Sequence, residues 1–446
     1  MLTGRQRLIL ACLFVLSLPA VTPRIYSSDE IQYFAFLRSL WFDRDLSFEN
    51  EYRYFYDRGI ARSAGFHETF LERQTDTGRR LNFGTIGCAI LWSPFYLAGD
   101  IAARASGAPR DGFSRPYIAA VAYGSAVYGF LALVLAILCA ARIGYNGFGA
   151  ALAVWLGTPL LFYMYVAPPF SHACSAFAVA LFTFVWLRVR GEWSPRGMIA
   201  LGAAGALMGM TREQDAFFIA GPALDFGLSA LAALRSQRPK PKAQSLIAGA
   251  AAFCVAFLPQ AATYVILNGH LGPHASVAHK MNWMAPHALQ VLFSLEHGFF
   301  VWTPLALIAI AGLVPLAQRR ICFCLLLMVA LQIYVGGSVE SWTVAGGFGQ
   351  RRFVALTAAM VIGLSCLRAA TPAKHARWAL NAITVIAVYW NLALTAEFAT
   401  GLMDRQRLEP AKNAYDAFVT LPRMMPSLVY RYLFDRSSFY QGSHAS

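Results

Sequence analysis

Apolar and polar positions along this chain are grouped in long blocks. Mainly apolar runs approaching the ~20 residues that cross a bilayer recur at about 8–22, 85–103, 116–141, 148–167, 172–188, 197–210, 214–233, 244–267, 301–317, 321–336, 354–369 and 379–398. Of spanning structures, helices satisfy their own backbone in lipid within a single segment. The pattern therefore predicts an all-α polytopic membrane protein with twelve runs as the upper limit on crossings.

The clearest helical period lies between the first two runs. After Ser27-Ser28-Asp29-Glu30, the residues Tyr33, Phe34, Leu37, Leu40 and Trp41 fall on one stripe of a helix. A serine N-cap would place Asp29 and Glu30 in its first turn, and the stripe predicts an amphipathic helix lying along the membrane surface.

Composition strengthens the membrane reading. Apolar and aromatic residues make up 57% of the 446 positions and charged residues 13%, against about a quarter charged in an average soluble domain. A soluble nucleotide-binding enzyme and a secreted disulfide scaffold are excluded. The net charge of +14 comes from Lys and Arg gathered in short linkers, where positive charge holds loops on the cytoplasmic side; no nucleic-acid partner is indicated. The eight cysteines, Cys12, Cys88, Cys139, Cys174, Cys254, Cys322, Cys324 and Cys366, lie in or beside apolar runs without a CxxC, and read as small core residues. Arg5 and Arg7 before Leu8–Leu16 look like a signal peptide, but no A-x-A site falls near Ala20. An uncleaved first span is expected.

The basic anchors set a topology. The N-terminus, Arg235–Lys242 (RSQRPKPK), Arg319–Arg320 and Lys374–Arg377 go to the cytoplasm, leaving 268–300, 337–353 and the C-terminal tail outside. Seven single crossings before Arg235 would put that linker on the wrong side, so one candidate, most readily the short 197–210 run, is expected to be broken or not to cross fully. About eleven spans remain. They form one domain over 1–398 with a first outer loop at 23–84, followed by a tail at 399–446 that lands outside despite its six Lys and Arg residues.

That first loop holds ten of the 23 acidic side chains. The plainer reading of Asp29 and Glu30 is that they complement the dipole of a helix N-terminus. The functional reading is a carboxylate held where lipid meets water, acting as a general base. Glu49, Asn50 and Glu51 form a second acidic knot and His67-Glu68 a third. Arg351-Arg352 stands at the outer end of a span, where the positive-inside bias disfavours it; the pair either snorkels or holds an anion. Arg212, with Glu213 and Asp215, reads as a structural ion pair. Five of the nine histidines, His270, His274, His279, His287 and His297, share 268–300, but their spacing matches no closed zinc pattern. Trp283 and Trp342 either stack on a sugar or sit in the interfacial aromatic belt, the usual place for such residues. No Walker or G-x-G-x-x-G motif precedes a helix, so a nucleotide-sugar donor is unsupported.

Three patches carry a resemblance. The first is the short opening span with Asp29-Glu30 just beyond it, then Asp43–Glu51 (DRDLSFENE), then Gly84 and Trp92-Ser93-Pro94-Phe95-Tyr96. The second is Phe293-Ser294-Leu295-Glu296-His297-Gly298 running to Trp302-Thr303-Pro304, and the third is Gly346-Gly347-Phe348-Gly349-Gln350-Arg351-Arg352-Phe353. Together they resemble the bacterial GT-C glycosyltransferases, relatives of the protein O-mannosyltransferases and lipid A aminoarabinose transferases. The resemblance implies a GT-C-type fold in the bacterial inner membrane, with an outward-facing site that moves a sugar, mannose or a related one, from a polyprenyl-phosphate carrier to an envelope acceptor. It implies Asp29 as the base and Glu30 as its neighbour, with Arg351, Arg352 and His297 carried over by segment. Lys280, Glu49 and Glu51 complete the candidate substrate contacts. No cofactor is required; Asp and Glu could hold a divalent ion, but no ligand set is visible. A transporter of lipid-linked sugars is the rival reading, disfavoured because no inverted repeat is found.

Overall fold

The computed structural model describes residues 2–235, 243–344 and 346–435. It is all-α. Among the described residues, seven helical segments are long and apolar enough to cross a membrane: Arg115–Arg142, His172–Val189, Glu213–Leu234, Ala243–Asn268, Arg319–Ser338, Arg351–Ala370 and Lys374–Thr400. The remaining expected spans are shorter or more polar. The first is Gly4–Ser17, 14 residues long. Gly87–Ser106 has 20 residues but carries Asp100 and Arg104. The linker RSQRPKPK, on which the topology rests, lies outside the described residues apart from the backbone of Arg235 at its start.

The run 197–210, expected to be broken or not to cross fully, is a continuous helix, Pro195–Thr211, of 17 residues and is not one of the seven long apolar segments. It packs along Ala243–Asn268 so closely that a Cβ on Gly202 would strike the Gly249 carbonyl, the small-residue contact that lets membrane helices approach. The interruptions fall where the chain has proline. The run 148–167 divides at Thr158-Pro159 into Phe148–Gly157 and Leu160–Tyr165, and 301–317 divides at Thr303-Pro304. Proline lacks an amide proton and leaves carbonyls unpaired. At the first break Asn391, buried in Lys374–Thr400, donates to the Leu156 and Thr158 carbonyls at 2.9 and 3.1 Å, which supplies the partners that lipid cannot.

The helix predicted after Ser27 is present as Ser28–Arg38, but it does not lie on a surface with one stripe buried. Ile31, Gln32, Phe34, Ala35, Phe36 and Leu37 are all buried, because the rest of the first loop folds over it. Glu49–Asp57 and the turn through Phe66 and Phe70 bring Tyr52, Phe55, Phe66 and Phe70 into a common aromatic core with Phe34 and Phe36. Aromatic packing on both sides makes the loop a small subdomain. It is fastened to the bundle at its exit: Phe83 N–H donates to Gln32 at 2.8 Å, Thr85 donates to the Thr211 carbonyl at 2.9 Å, and Ile86 N–H donates to Gln260 at 2.9 Å. Gly87 sits against the Met210 and Thr211 backbone with no room for a Cβ. The end of Pro195–Thr211 is thereby held beside the loop.

The tail is not detached. Leu408 N–H donates to the Leu295 carbonyl at 3.0 Å, and Asn413 donates to Glu397 at 2.6 Å. Ala417 and Leu421 pack on Ala393. All eight cysteines are free.

Candidate active site

Local sequence decides which of the two adjacent carboxylates faces outward. Ser27 Oγ accepts the Glu30 amide at 3.3 Å, and Glu30 Oε2 accepts the Tyr26 and Ser27 amides at 2.9 Å each. This is the reciprocal capping box in which a Ser at the cap and a Glu three residues later satisfy each other's backbone donors. It turns Glu30 into the interior, fully buried, where burial pushes its carboxyl up to about 8. Asp29, one residue earlier, is 40% exposed and ion-paired with Arg351, Oδ2 to Nη1 at 2.8 Å. The sequence offered both as a catalytic pair; the fold makes Glu30 a helix cap and leaves Asp29 facing the arginine.

Glu30 therefore yields a stability prediction. Its folded value lies above the usual carboxylate value, so the stability of the protonated folded form is full below about pH 4.5 and is lost as pH rises toward 8, by on the order of a few kcal/mol. Glu30→Gln keeps a cap acceptor and cannot ionise. It should keep its activity and gain thermal stability over the wild type as pH is raised from 5 to 8, read by melting curves in detergent. Loss of activity in a stably folded Glu30→Gln protein would return Glu30 to the chemistry.

Arg351 is held by a glycine-rich loop whose backbone is pinned on several sides. Gly349 has φ +57 and lies against Pro159, a conformation suited to glycine. Tyr163 hydroxyl accepts the Phe348 amide at 3.0 Å and donates to the Phe348 carbonyl at 3.2 Å. Gln350 donates to the Trp342 carbonyl at 3.0 Å. His297, fully buried and stacked on Trp302 at 4.5 Å, donates from Nε2 to the Gly347 carbonyl at 2.9 Å. Burial, aided by Arg351, pushes His297 down to about 4, so it is a neutral fastener of the loop at physiological pH. The Arg351 guanidinium lies over Phe170, 5.2 Å from the ring centroid.

Two further residues complete the group: Arg212, read from the sequence as part of a structural ion pair, and His172, which sequence reasoning missed. Arg212 follows Thr211 at the end of its helix and meets His172 Nδ1, while its other nitrogen donates to Gln214 at 3.1 Å. Arg212 was expected to pair with Glu213 and Asp215. Glu213 receives the Tyr264 hydroxyl, and Asp215 receives Ser175 at 2.5 Å while remaining in electrostatic range of Arg212. His172 opens His172–Val189 between Tyr163, 4.5 Å away, and Phe170, 5.7 Å away. Arg212, Arg351 and Arg352 all lie in electrostatic range of this histidine. Arg352 also donates to Ser341 through its carbonyl and hydroxyl at 3.0 and 3.2 Å. Three guanidiniums thus gather near Asp29, with the buried Asp215 in electrostatic range of Arg212. A helix that runs unbroken to Thr211 carries Arg212 into electrostatic range of Arg352 and His172.

The other candidates stand apart from this group. Glu49 pairs with Arg53 at 2.8 Å and Arg80 at 3.1 Å, and its hydrogen bond from Arg53 holds it below the usual carboxylate value. Glu51 pairs with Arg38 at 3.0 Å, and burial pushes it up to about 6. Both tie the first-loop subdomain together. Lys280 is exposed, its ammonium 5.4 Å from the Phe83 ring centroid, and its carbonyl accepts the Glu340 amide at 2.7 Å, where the segments 268–300 and 337–353 meet. Among the described residues, no group of three or more His, Cys, Asp or Glu side chains could hold a metal ion. Asp29 itself meets a guanidinium, with Glu30 turned away from it, so this carboxylate pair does not fit a divalent ion.

A cavity of about 810 Å³ opens near the start of the Asp29 helix, with Ile25, Tyr26, Leu161, Tyr165, Phe398 and Arg405 among its walls. The short helix Leu160–Tyr165 divides it from the arginine group: Leu161 and Tyr165 face the cavity, while Tyr163 faces His172.

No protein-family model and no curated protein matches the chain. Among solved structures, the chain is similar to an oligosaccharyltransferase from Archaeoglobus fulgidus, with 13% identity, a TM-score of 0.44 and 92% of this chain covered. The match spans 59% of that protein's length.

Proposed function

We propose that this protein is a GT-C-type membrane glycosyltransferase, transferring a sugar from a polyprenyl-phosphate carrier to an envelope acceptor on the outer face of a bacterial inner membrane. The observation that carries the reading is the meeting of Asp29 and Arg351 at 2.8 Å beside Arg212 and Arg352. A glycosyl transfer of this kind needs those two functions side by side. The acceptor's oxygen or nitrogen attacks the anomeric carbon and its proton passes to Asp29. The bond from that carbon to the phosphate oxygen breaks, and the electron pair leaves with the lipid phosphate. The departing group is a stable anion, so no leaving-group acid is needed; cations that fit phosphate oxygens are. Guanidiniums supply forked donors for this purpose.

Arg351 also sets the resting state. It occupies one oxygen of Asp29 through Nη1 and keeps the carboxylate oriented, with its remaining N–H groups left for the donor phosphate. His297 and Tyr163 act through the loop as positioning residues, and the cavity beyond the Leu160–Tyr165 helix, walled in good part by apolar side chains, offers room for a lipid chain. The test is direct. Purified protein is incubated with polyprenyl-phosphate mannose and an envelope extract, and free polyprenyl phosphate is measured by mass spectrometry. Release of the phosphate with gain of a hexose on an extract component supports transfer; donor recovered intact, or merely moved across a vesicle, contradicts it.

A further inference from the structure

The end of the bundle remote from Asp29 has a second recess. Arg352 and Arg368 lie on one continuous segment, Arg351–Ala370, so they are separated by roughly 24 Å at 1.5 Å per residue, close to the thickness of a bilayer's apolar layer. At the Arg368 end, a cavity of about 450 Å³ lies between helix termini, with Arg368, Arg377, Gln6, Asn146 and Asn381 as its main polar lining. Phe148, Leu364 and Leu380 form an apolar wall. Among the described residues, no Asp or Glu lines it.

Both arginines are exposed and, among the described residues, bonded to neutral oxygens, Arg368 to Asn381 at 3.0 Å and Arg377 to the Pro372 carbonyl at 2.8 Å. A guanidinium carries five donors, so each keeps N–H groups for a ligand. Trp378, beside Arg377, is 68% exposed, as an aromatic at the membrane interface would be. The cavity therefore sits at headgroup level, with charge above and an apolar seam below. A basic pocket between membrane helices in that position suits a phosphate-bearing lipid headgroup.

We propose that this recess binds an anionic phospholipid, its phosphate held by Arg368 and Arg377 and an acyl chain lying against Phe148 and Leu380. The site is independent of the glycosyl-transfer reading, since it lies at the opposite end of the span from Arg352.

The experiment uses the full chain in nanodiscs of phosphatidylcholine alone or mixed with phosphatidylglycerol, released for native mass spectrometry. Wild-type protein should retain phosphatidylglycerol over phosphatidylcholine, and Arg196→Gln, a surface change elsewhere, should behave the same. Arg368→Gln with Arg377→Gln should retain about thirtyfold less phosphatidylglycerol, the factor expected for two arginines at a membrane surface. Both side chains are exposed, so the double variant should melt like wild type in phosphatidylcholine, and phosphatidylglycerol should raise the melting temperature of the wild type alone. Equal retention in the double variant, or equal retention of the two lipids, overturns the proposal. So does displacement of the lipid by inorganic phosphate at matched concentration, which would make the recess a site for free anions.

Discussion

Asp29→Asn is expected to give a folded, membrane-inserted protein whose transfer rate falls by about 10² to 10⁴, the scale of losing a general base. The amide matches the carboxylate in shape and can still contact Arg351, but it cannot take the acceptor's proton. Donor affinity should change little, or rise, because removing the carboxylate frees Arg351 for the phosphate. A rate loss with retained donor binding therefore belongs to the base. The comparison that checks it is turnover and donor affinity, measured separately on purified protein. Full activity in well-folded Asp29→Asn protein would remove Asp29 from the chemistry and leave its pairing with Arg351 as architecture.

Arg351→Lys should lower turnover by about ten- to a hundredfold, because an ammonium keeps the charge but loses the fork that can meet Asp29 and a phosphate oxygen together. Arg351→Gln should fall further, by about 10² to 10³, since the leaving phosphate's charge then goes uncompensated in a site of low dielectric. Arg212→Gln should show the same direction, and its loss should not simply add to that of Arg351, because neighbours acting on one group couple. Free substitution by Lys at Arg351, with unchanged donor affinity and turnover, would mean that the arginine only anchors the helix end.

Much of the fold was legible because lipid imposes a coarse code. Apolar runs of sufficient length announce helices such as Arg115–Arg142 and Ala243–Asn268, whatever surrounds them. The breaks were harder to place. Length pointed to 197–210, whereas the interruptions occur at Pro159 and Pro304, where a missing amide matters more than a short run. The first-loop helix was visible from Ser27 and the spacing of its aromatics, but its depth of burial depends on Tyr52, Phe55 and Phe70 folding over it, contacts between segments that no local period records.

The same division holds for the site. Asp29 and Arg351 could be singled out, one as a carboxylate after a cap and the other as a cation at a disfavoured helix end, yet their contact across 322 positions is a property of the fold. The distinct fates of Asp29 and Glu30 follow from the capping box, whose elements, Ser27 and Glu30, were already in the sequence. Arg212 was read as structural and His172 escaped notice, because each sits at the edge of an apolar run with no motif around it. Glu49 and Glu51 looked like ligands because they are acidic; Arg38, Arg53 and Arg80 show them to be ties within the loop.

The central claim is that this chain transfers a sugar to the cell envelope with Asp29 as base. It is tested most directly by mass spectrometry of envelope glycans from cells lacking the protein, complemented either with wild type or with an equally expressed Asp29→Asn variant. The account predicts that a sugar-bearing species disappears without the protein, returns with wild type and stays absent with Asp29→Asn. An envelope unchanged by removal of the protein, or restored in full by the Asp29→Asn variant, would contradict it.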